Sequence, residues 1–246
     1  MDHHMDFKED YFQSSSGKIF FKHHEGAGQS IIFLHGFGAG SFVWKRLMTV
    51  LPDDLDVYLI DLLGHGKSEK PHLAYTVSLQ VDVLSQFIRA NKLEHAVLFG
   101  HSFGGWIASK YVAAGGKAKA IVLEDSAGIA ENHDAVKSSG SYDDFKDEMF
   151  KRAMEIAGND EYVIRSSIEN SEGELLSPDE FSRITLPTMI IWGKEDNIVP
   201  VDYATGISNA IKNSRLEIIE GAEHNPHYSK PDVVTKLLLD FIRSLR

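Results

Sequence analysis

The sequence contains no cysteine. That absence excludes disulfide scaffolds, thiolate metal sites, iron–sulfur clusters and cysteine nucleophiles together. A surplus of positive charge is missing too. Lys plus Arg number 25 against 36 Asp plus Glu, a net charge of −11. Neutralising a phosphate backbone or an anionic lipid surface takes the opposite balance, so neither nucleic acid nor membrane is expected as a main partner. No stretch approaches the roughly 18 apolar residues of a spanning helix. The opening Met1-Asp2-His3-His4-Met5-Asp6 has no basic leader and no apolar run. It does not read as a signal peptide, and the cytoplasm is the expected location. Internal repeats and low-complexity tracts are absent as well.

What remains is a chain of 246 residues, 43% apolar and 25% charged. That is enough apolar material for a sizeable core, and a single α/β domain routinely reaches this length. Short β-branched and aromatic runs alternate with segments of helical period. Lys8 to Phe12 and Ile19 to His23, separated by Ser14-Ser15-Ser16-Gly17, predict a hairpin. Ile31 to Leu34, Val57 to Leu62, His95 to Phe99, Ala120 to Leu123, Thr188 to Trp192 and Leu216 to Ile219 predict further strands. Most are apolar on both faces, as in a parallel sheet covered by helices on each side. Val77, Val81, Leu84 and Ile88 form one helical stripe; Val234, Leu237, Leu238, Phe241 and Leu245 form another. Sheets of this kind place ligands in loops beyond the carboxyl ends of their strands.

From about Ala127 to Ile184 no good strand candidate appears. Tyr142 to Ala157 predicts a helix with Gly158 as its stop, and Ser177-Pro178-Asp179-Glu180 predicts a capped helix start. The expected organisation is a core of residues 1–126 and 185–246, with 127–184 as a helical lid insertion.

Gly100-His101-Ser102-Phe103-Gly104-Gly105 follows one predicted strand and precedes a helical segment, Trp106 to Ala114. Gly-x-Ser-x-Gly alone is a weak signal, since a glycine-rich turn can carry it without chemistry. In a strand–turn–helix context it reads as a nucleophile elbow, which lifts the Ser102 hydroxyl above the sheet edge. A serine hydroxyl needs a base. His224 in Gly221-Ala222-Glu223-His224 stands beyond the last strand, with His227 as its local competitor. The base in turn needs a carboxylate. Asp196, just past the strand ending at Trp192, is the candidate, with Glu124 and Asp125 as the alternative. An oxyanion hole is the remaining requirement. The loop His35-Gly36-Phe37-Gly38 offers the Phe37 amide, and the elbow offers that of Phe103; His35 itself reads as a structural hydrogen-bonding residue.

These pieces stand in the chain order Ser102, Asp196, His224, unlike chymotrypsin-like or subtilisin-like proteases. Together with Asp61-Leu62-Leu63-Gly64-His65-Gly66-Lys67-Ser68 and the run from Pro187 through Trp192-Gly193 to Asp196, they cover nearly the whole chain outside the insertion. The sequence resembles the α/β-hydrolase superfamily, in the branch of small single-lid esterases and carbon–carbon bond hydrolases. The resemblance implies an eight-stranded, mostly parallel sheet with one antiparallel strand near the start. It implies Ser102 as nucleophile, Asp196 as acid, His224 as base, and the amides of Phe37 and Phe103 as oxyanion donors. Serine at the elbow argues against haloalkane dehalogenases and epoxide hydrolases, which carry Asp there.

The expected reaction is cleavage of small to medium carboxylic esters through an acyl-enzyme, with no metal or organic cofactor. The expected partner is a small-molecule ester, and the expected assembly is a monomer or small homo-oligomer. Phe37, Phe103 and Trp106, with Tyr142, Phe145, Phe150 and Tyr162 of the insertion, suggest an apolar pocket. One alternative is a carbon–carbon bond hydrolase of a vinylogous diketo acid. It would need a basic residue such as Arg152, Arg165 or Arg183 for the substrate carboxylate, and Asn225-Pro226-His227 lacks the Trp such enzymes often show nearby. The other is a ligand-binding receptor on the same fold with little turnover.

Overall fold

The computed structural model describes residues 5–130 and 142–245, with side chains in the second stretch from residue 146. The start of the opening segment, Met1 to His4, and the side chains of Tyr142 and Phe145 lie outside the described residues.

Eight strands form one sheet in the order β1-β2-β4-β3-β5-β6-β7-β8. They are β1 (Lys8–Gln13), β2 (Lys18–His24), β3 (Ser30–Leu34), β4 (Asp56–Ile60), β5 (Val97–His101), β6 (Ala120–Glu124), β7 (Thr188–Gly193) and β8 (Ser214–Ile219). β2 pairs antiparallel with both β1 and β4, and every other pairing is parallel. All eight predicted strands are present, and β2 is the single strand running against the rest.

The side-chain alternation of the central strands sorts the core into two layers. Ile32, Leu34, Leu98, Ile121, Leu123, Ile190 and Trp192 face one way. There they meet α2 (Val77–Ala90), α3 (Phe103–Ala113) and α7 (Asp202–Ala210). Ile31, Phe33, Val97, Phe99, Val122, Met189 and Ile191 face the other way, onto Trp44, Leu47 and α9 (Pro231–Ser244). Each such side chain, fully buried, contributes about 1.5–3 kcal/mol. Thr76 caps α2 by accepting from the Leu79 amide at 2.9 Å. The buried stripe of α2 includes Gln80, Val83 and Phe87 beside the expected Val77, Leu84 and Ile88, which leaves Val81 half-buried.

Several boundaries differ from expectation. β5 begins at Val97 because His95 is taken up in a turn closed by the Ala96 amide on the Leu93 carbonyl, 2.9 Å. It ends at His101, inside the predicted elbow, and α3 starts at Phe103. The apolar stretch Val43 to Leu51 forms only a 3-10 turn, Ser41–Trp44, and one α-turn, α1 (Lys45–Met48). Pro52 disfavours helical geometry at Leu51 before it.

Between β6 and β7 stand α4 (Tyr142–Glu155), α5 (Glu161–Ser171) and α6 (Pro178–Ser182). The capping box of α6 is present, Ser177 and Glu180 each satisfying the other's backbone amide. This segment is fastened to the core. Ser166 Oγ accepts from the Tyr75 amide at 3.0 Å. Asn159 Nδ2 donates to the Gly38 carbonyl at 2.6 Å, and Trp106 Nε1 donates to the Glu174 carbonyl at 3.1 Å.

Candidate active site

The turn between β5 and α3 is strained where sequence reasoning placed the nucleophile. Ser102 has φ +50° and ψ −111°, a conformation that costs a non-glycine residue about 1–3 kcal/mol. The neighbouring glycines make the turn possible by bulk alone. A Cβ on Gly100 would overlap the Gly104 carbonyl, and one on Gly104 would overlap the Leu34 carbonyl of β3. The Ser102 amide donates to the Glu124 carbonyl at 2.9 Å, which locks the turn to the end of β6.

Two further strand ends supply the partners. After β7, the Lys194 amide donates to the Ile219 carbonyl and the Glu195 amide to the Ala222 carbonyl, each at 3.0 Å. These bonds tie the loop carrying Asp196 to the loop carrying His224. His224 Nδ1 then lies 2.7 Å from Asp196 Oδ2, and His224 Nε2 lies 3.0 Å from Ser102 Oγ. Asp196 Oδ1 accepts from the amides of Ile198 and Val199 at 2.8 and 2.9 Å. Burial opposes ionisation of Asp196, but the His224 contact and its other hydrogen bonds outweigh it and hold the carboxyl below its usual range. An ionised Asp196 can only accept, so Nδ1 carries the ring proton and Nε2 is left to accept from the serine hydroxyl.

Of the other candidates, His227 turns away from Ser102. Its Nδ1 lies 2.5 Å from Glu124 Oε2 in a fully buried pair. Glu124 is thereby engaged elsewhere, and Asp125 Oδ1 accepts from the Gly193 amide at 3.0 Å. His35 is a bridge: its Nε2 accepts from the Leu62 amide at 3.0 Å and its Nδ1 donates to the Gly36 carbonyl at 2.7 Å. Burial lowers its pKa, against the pull of Asp61.

The β3 loop runs directly against the serine; a Cβ on Gly36 would sit 3.5 Å from Ser102 Cβ. Among the described residues, neither the Phe37 nor the Phe103 amide donates to a hydrogen bond outside regular helices and strands. Phe103 is the first residue of α3, where an amide has no intrahelical acceptor. The Phe37 and Phe103 rings meet edge to face, 5.8 Å between centroids.

Sequence reasoning gave His101 no role. Its Nε2 donates to the His224 main-chain carbonyl at 2.7 Å. Burial, then the neighbouring His227 and His224, push its pKa well below the ordinary value, so the ring is a neutral brace for the loop that carries His224. A histidine inside an elbow motif gives no signal of this, because its acceptor lies 123 positions along the chain.

The arginines named for a substrate carboxylate lie elsewhere. Arg152 pairs with Glu148 and Arg165 with Glu161, each at 2.8 Å on exposed helix faces. Arg165 also covers the Phe150 ring at 4.1 Å, and Arg183 is exposed at the end of α6.

Two described trios bring donor atoms of metal-ligating type within 4.8 Å of one another: His101, Glu124 and His227, and Asp125, Asp196 and His224. In each, an imidazole already faces a carboxylate in a direct hydrogen bond. With an anchored carboxylate, an oriented imidazole, a hydroxyl and two nearby amides, the arrangement can move a proton and hold an oxyanion.

Residues 31–237 match the family model described as alpha/beta hydrolase family. A 2-hydroxy-6-oxo-6-(2'-aminophenyl)hexa-2,4-dienoic acid hydrolase of Metapseudomonas resinovorans is 28% identical to this chain, with 88% of the chain and 85% of the relative covered. A monoacylglycerol lipase of Mus musculus is 26% identical, covering 92% of this chain and 79% of the relative. Among solved structures, an esterase from Exiguobacterium antarcticum superposes with a TM-score of 0.84 at 23% identity, covering 96% of this chain and all of the other. No described helix is long and apolar enough to cross a membrane.

Proposed function

This chain belongs to the alpha/beta hydrolase family, and from that premise we propose that it is a serine hydrolase of small to medium carboxylic esters. The observation that carries the reading is the continuous hydrogen-bond chain from Ser102 Oγ through His224 to Asp196. In this reading His224 Nε2 takes the proton of Ser102 as Oγ bonds to the ester carbonyl carbon. The carbonyl electron pair moves to oxygen, where the Phe37 and Phe103 amides meet it. The tetrahedral species collapses, the carbon–oxygen bond breaks, and the alcohol leaves with the proton from His224. Water, deprotonated by the same ring, then releases the acid from Ser102. Removing one oxyanion donor should raise the barrier by about 2.7–4 kcal/mol.

Residues 127–184, of which 131–141 lie outside the described residues, act as a lid in this proposal, since Asn159 reaches the Gly38 carbonyl beside the oxyanion loop. The shortness of that segment favours small and medium acyl groups over long chains. Carbon–carbon bond cleavage of a dienoic acid has one specific point in its favour, the name of the Metapseudomonas relative. Against it, such a substrate carries a carboxylate, and no Lys or Arg appears among the described buried residues.

A panel of p-nitrophenyl esters from acetate to decanoate tests the proposal, with Ser102→Ala as control. Turnover should fall off with chain length and drop in the variant by several orders of magnitude, on the order of 10⁴ or more. Undiminished turnover in Ser102→Ala removes the nucleophile from the reading. Inert esters beside rapid cleavage of a dienone acid favour the second reaction.

A further inference from the structure

Asp125 is a fully buried acid that the chemistry above does not use. It follows β6 in a left-handed backbone conformation, φ +44°, with its amide donating to the Ile191 carbonyl at 2.9 Å. Its Oδ1 accepts from the Gly193 amide, while Oδ2 is buried with no donor to satisfy it among the described residues. A carboxyl oxygen of Asp125, one of Asp196 and a ring nitrogen of His224 lie within 4.8 Å of one another. The groups facing Asp125 are Glu124 from the end of its own strand, Asp196 from the loop after β7 and His224 from the loop after β8. Glu124 is itself paired with His227 of α8 (Pro226–Ser229).

Two carboxylates so close in a dry site do not both ionise; one keeps its proton. The donors present decide which. Asp196 receives two amides and an imidazole, whereas Asp125 receives one amide. Burial, the Asp196 contact and the Glu124 charge all push the Asp125 carboxyl well above the usual carboxylate range.

We propose that Asp125 is a positioning residue: as a neutral carboxylic acid, its Oδ2–H donates to the Asp196 carboxylate and holds that carboxylate ionised and aimed at His224. The donated hydrogen bond also satisfies the otherwise orphaned oxygen. The inference rests on the proposed roles of Ser102, His224 and Asp196.

Asp125→Asn supplies the test. Asn tolerates the left-handed backbone. Its oxygen can still accept from Gly193 and its amide can still donate to Asp196. The variant should keep kcat/KM for a short p-nitrophenyl ester within about threefold of the parent, with the acid side of its pH profile moved by less than about 0.3 unit. If Asp125 were ionised, Asn would delete a negative charge beside the His224 ring. The acid limb would then move to lower pH by about one unit or more, which overturns the proposal. Asp125→Ala should lower kcat by about tenfold or more with KM little changed, because the bond to a charged acceptor is gone; an unchanged kcat overturns it too. Should the Ala variant fail to fold, infrared spectroscopy decides the matter. A protonated-carboxyl band present in the parent at about pH 8 must vanish in Asp125→Asn, and a band that persists, or is absent from the parent, refutes the assignment. The band should survive in Ser102→Ala. Failure of the nucleophile assignment would appear only as turnover in that control, so the two failures are distinguishable.

Discussion

His65 makes the fold's stability fall in mild acid by an amount the structure sets. Its ring is fully buried beside His35, 5.5 Å between centroids. Nδ1 lies 3.2 Å from the Leu63 carbonyl, and Nε2 has no hydrogen-bond partner among the described residues. Burial first, then the charge of His35, lowers its pKa from 6.5 to about 3. Below pH 6.5 the unfolded chain therefore binds a proton at this site that the folded chain does not. Stability falls as pH falls through that window, and the loss ends only near the folded value. Between about pH 7.5 and about pH 5 the loss is roughly 1.5 units at 1.36 kcal/mol each, or about 2 kcal/mol. That is a sizeable share of a net stability of about 5–15 kcal/mol. Urea unfolding of the parent and of His65→Asn at the two pH values isolates it. His35 and His101, whose values are also lowered, titrate in both proteins and cancel in the difference. The parent should lose about 2 kcal/mol more than the variant. Equal losses would refute the claim that His65 stays uncharged in the fold.

Asp196→Asn should leave the chain folded near neutral pH and reduce kcat by roughly 10³- to 10⁴-fold, read by ester turnover, because the imidazole loses its fixed tautomer. Because the folded pKa of Asp196 is lowered from 3.8, its ionised form contributes stability above that value and loses it as pH falls through the folded pKa. The melting-temperature gap between parent and Asp196→Asn should therefore close in strong acid. Thr76→Ala removes the oxygen that accepts from the Leu79 amide. It should cost about 1 kcal/mol in urea unfolding without changing turnover.

Most of the site was legible because each piece sits at a strand end, and strand ends are what apolar runs reveal best. Val97 to His101 and Thr188 to Gly193 are buried at every position, so the loops after them were fixed in place by pattern alone. Choosing Asp196 over Asp125 and Glu124 turned on which loop faces which, whereas His224 and His227 lie on the same stretch after β8 and are told apart by their partners, Ser102 and Glu124. Elements with weak stripes were lost. α5 and α7 bury only part of one face each and stand out poorly from polar neighbours. The interior hydrogen bonds were also out of reach: the brace from His101 and the pair of His227 with Glu124 join residues more than 100 positions apart. The arginines drew attention by charge, yet each found a local acid or open water instead.

The crowded turn at Ser102 has a consequence for descent. A methyl at Gly100 would strike Gly104, one at Gly104 would strike Leu34, and one at Gly105 would strike Ser126. The first strike is internal to the turn and the other two reach the ends of β3 and β6, so no member can gain bulk while its neighbours stand still. A lineage carrying this chain can vary the exposed faces of the helices between β6 and β7 more readily than this turn, where an added side chain calls for coordinated change around it. Novelty in what such a protein acts upon is thus channelled away from the part that acts.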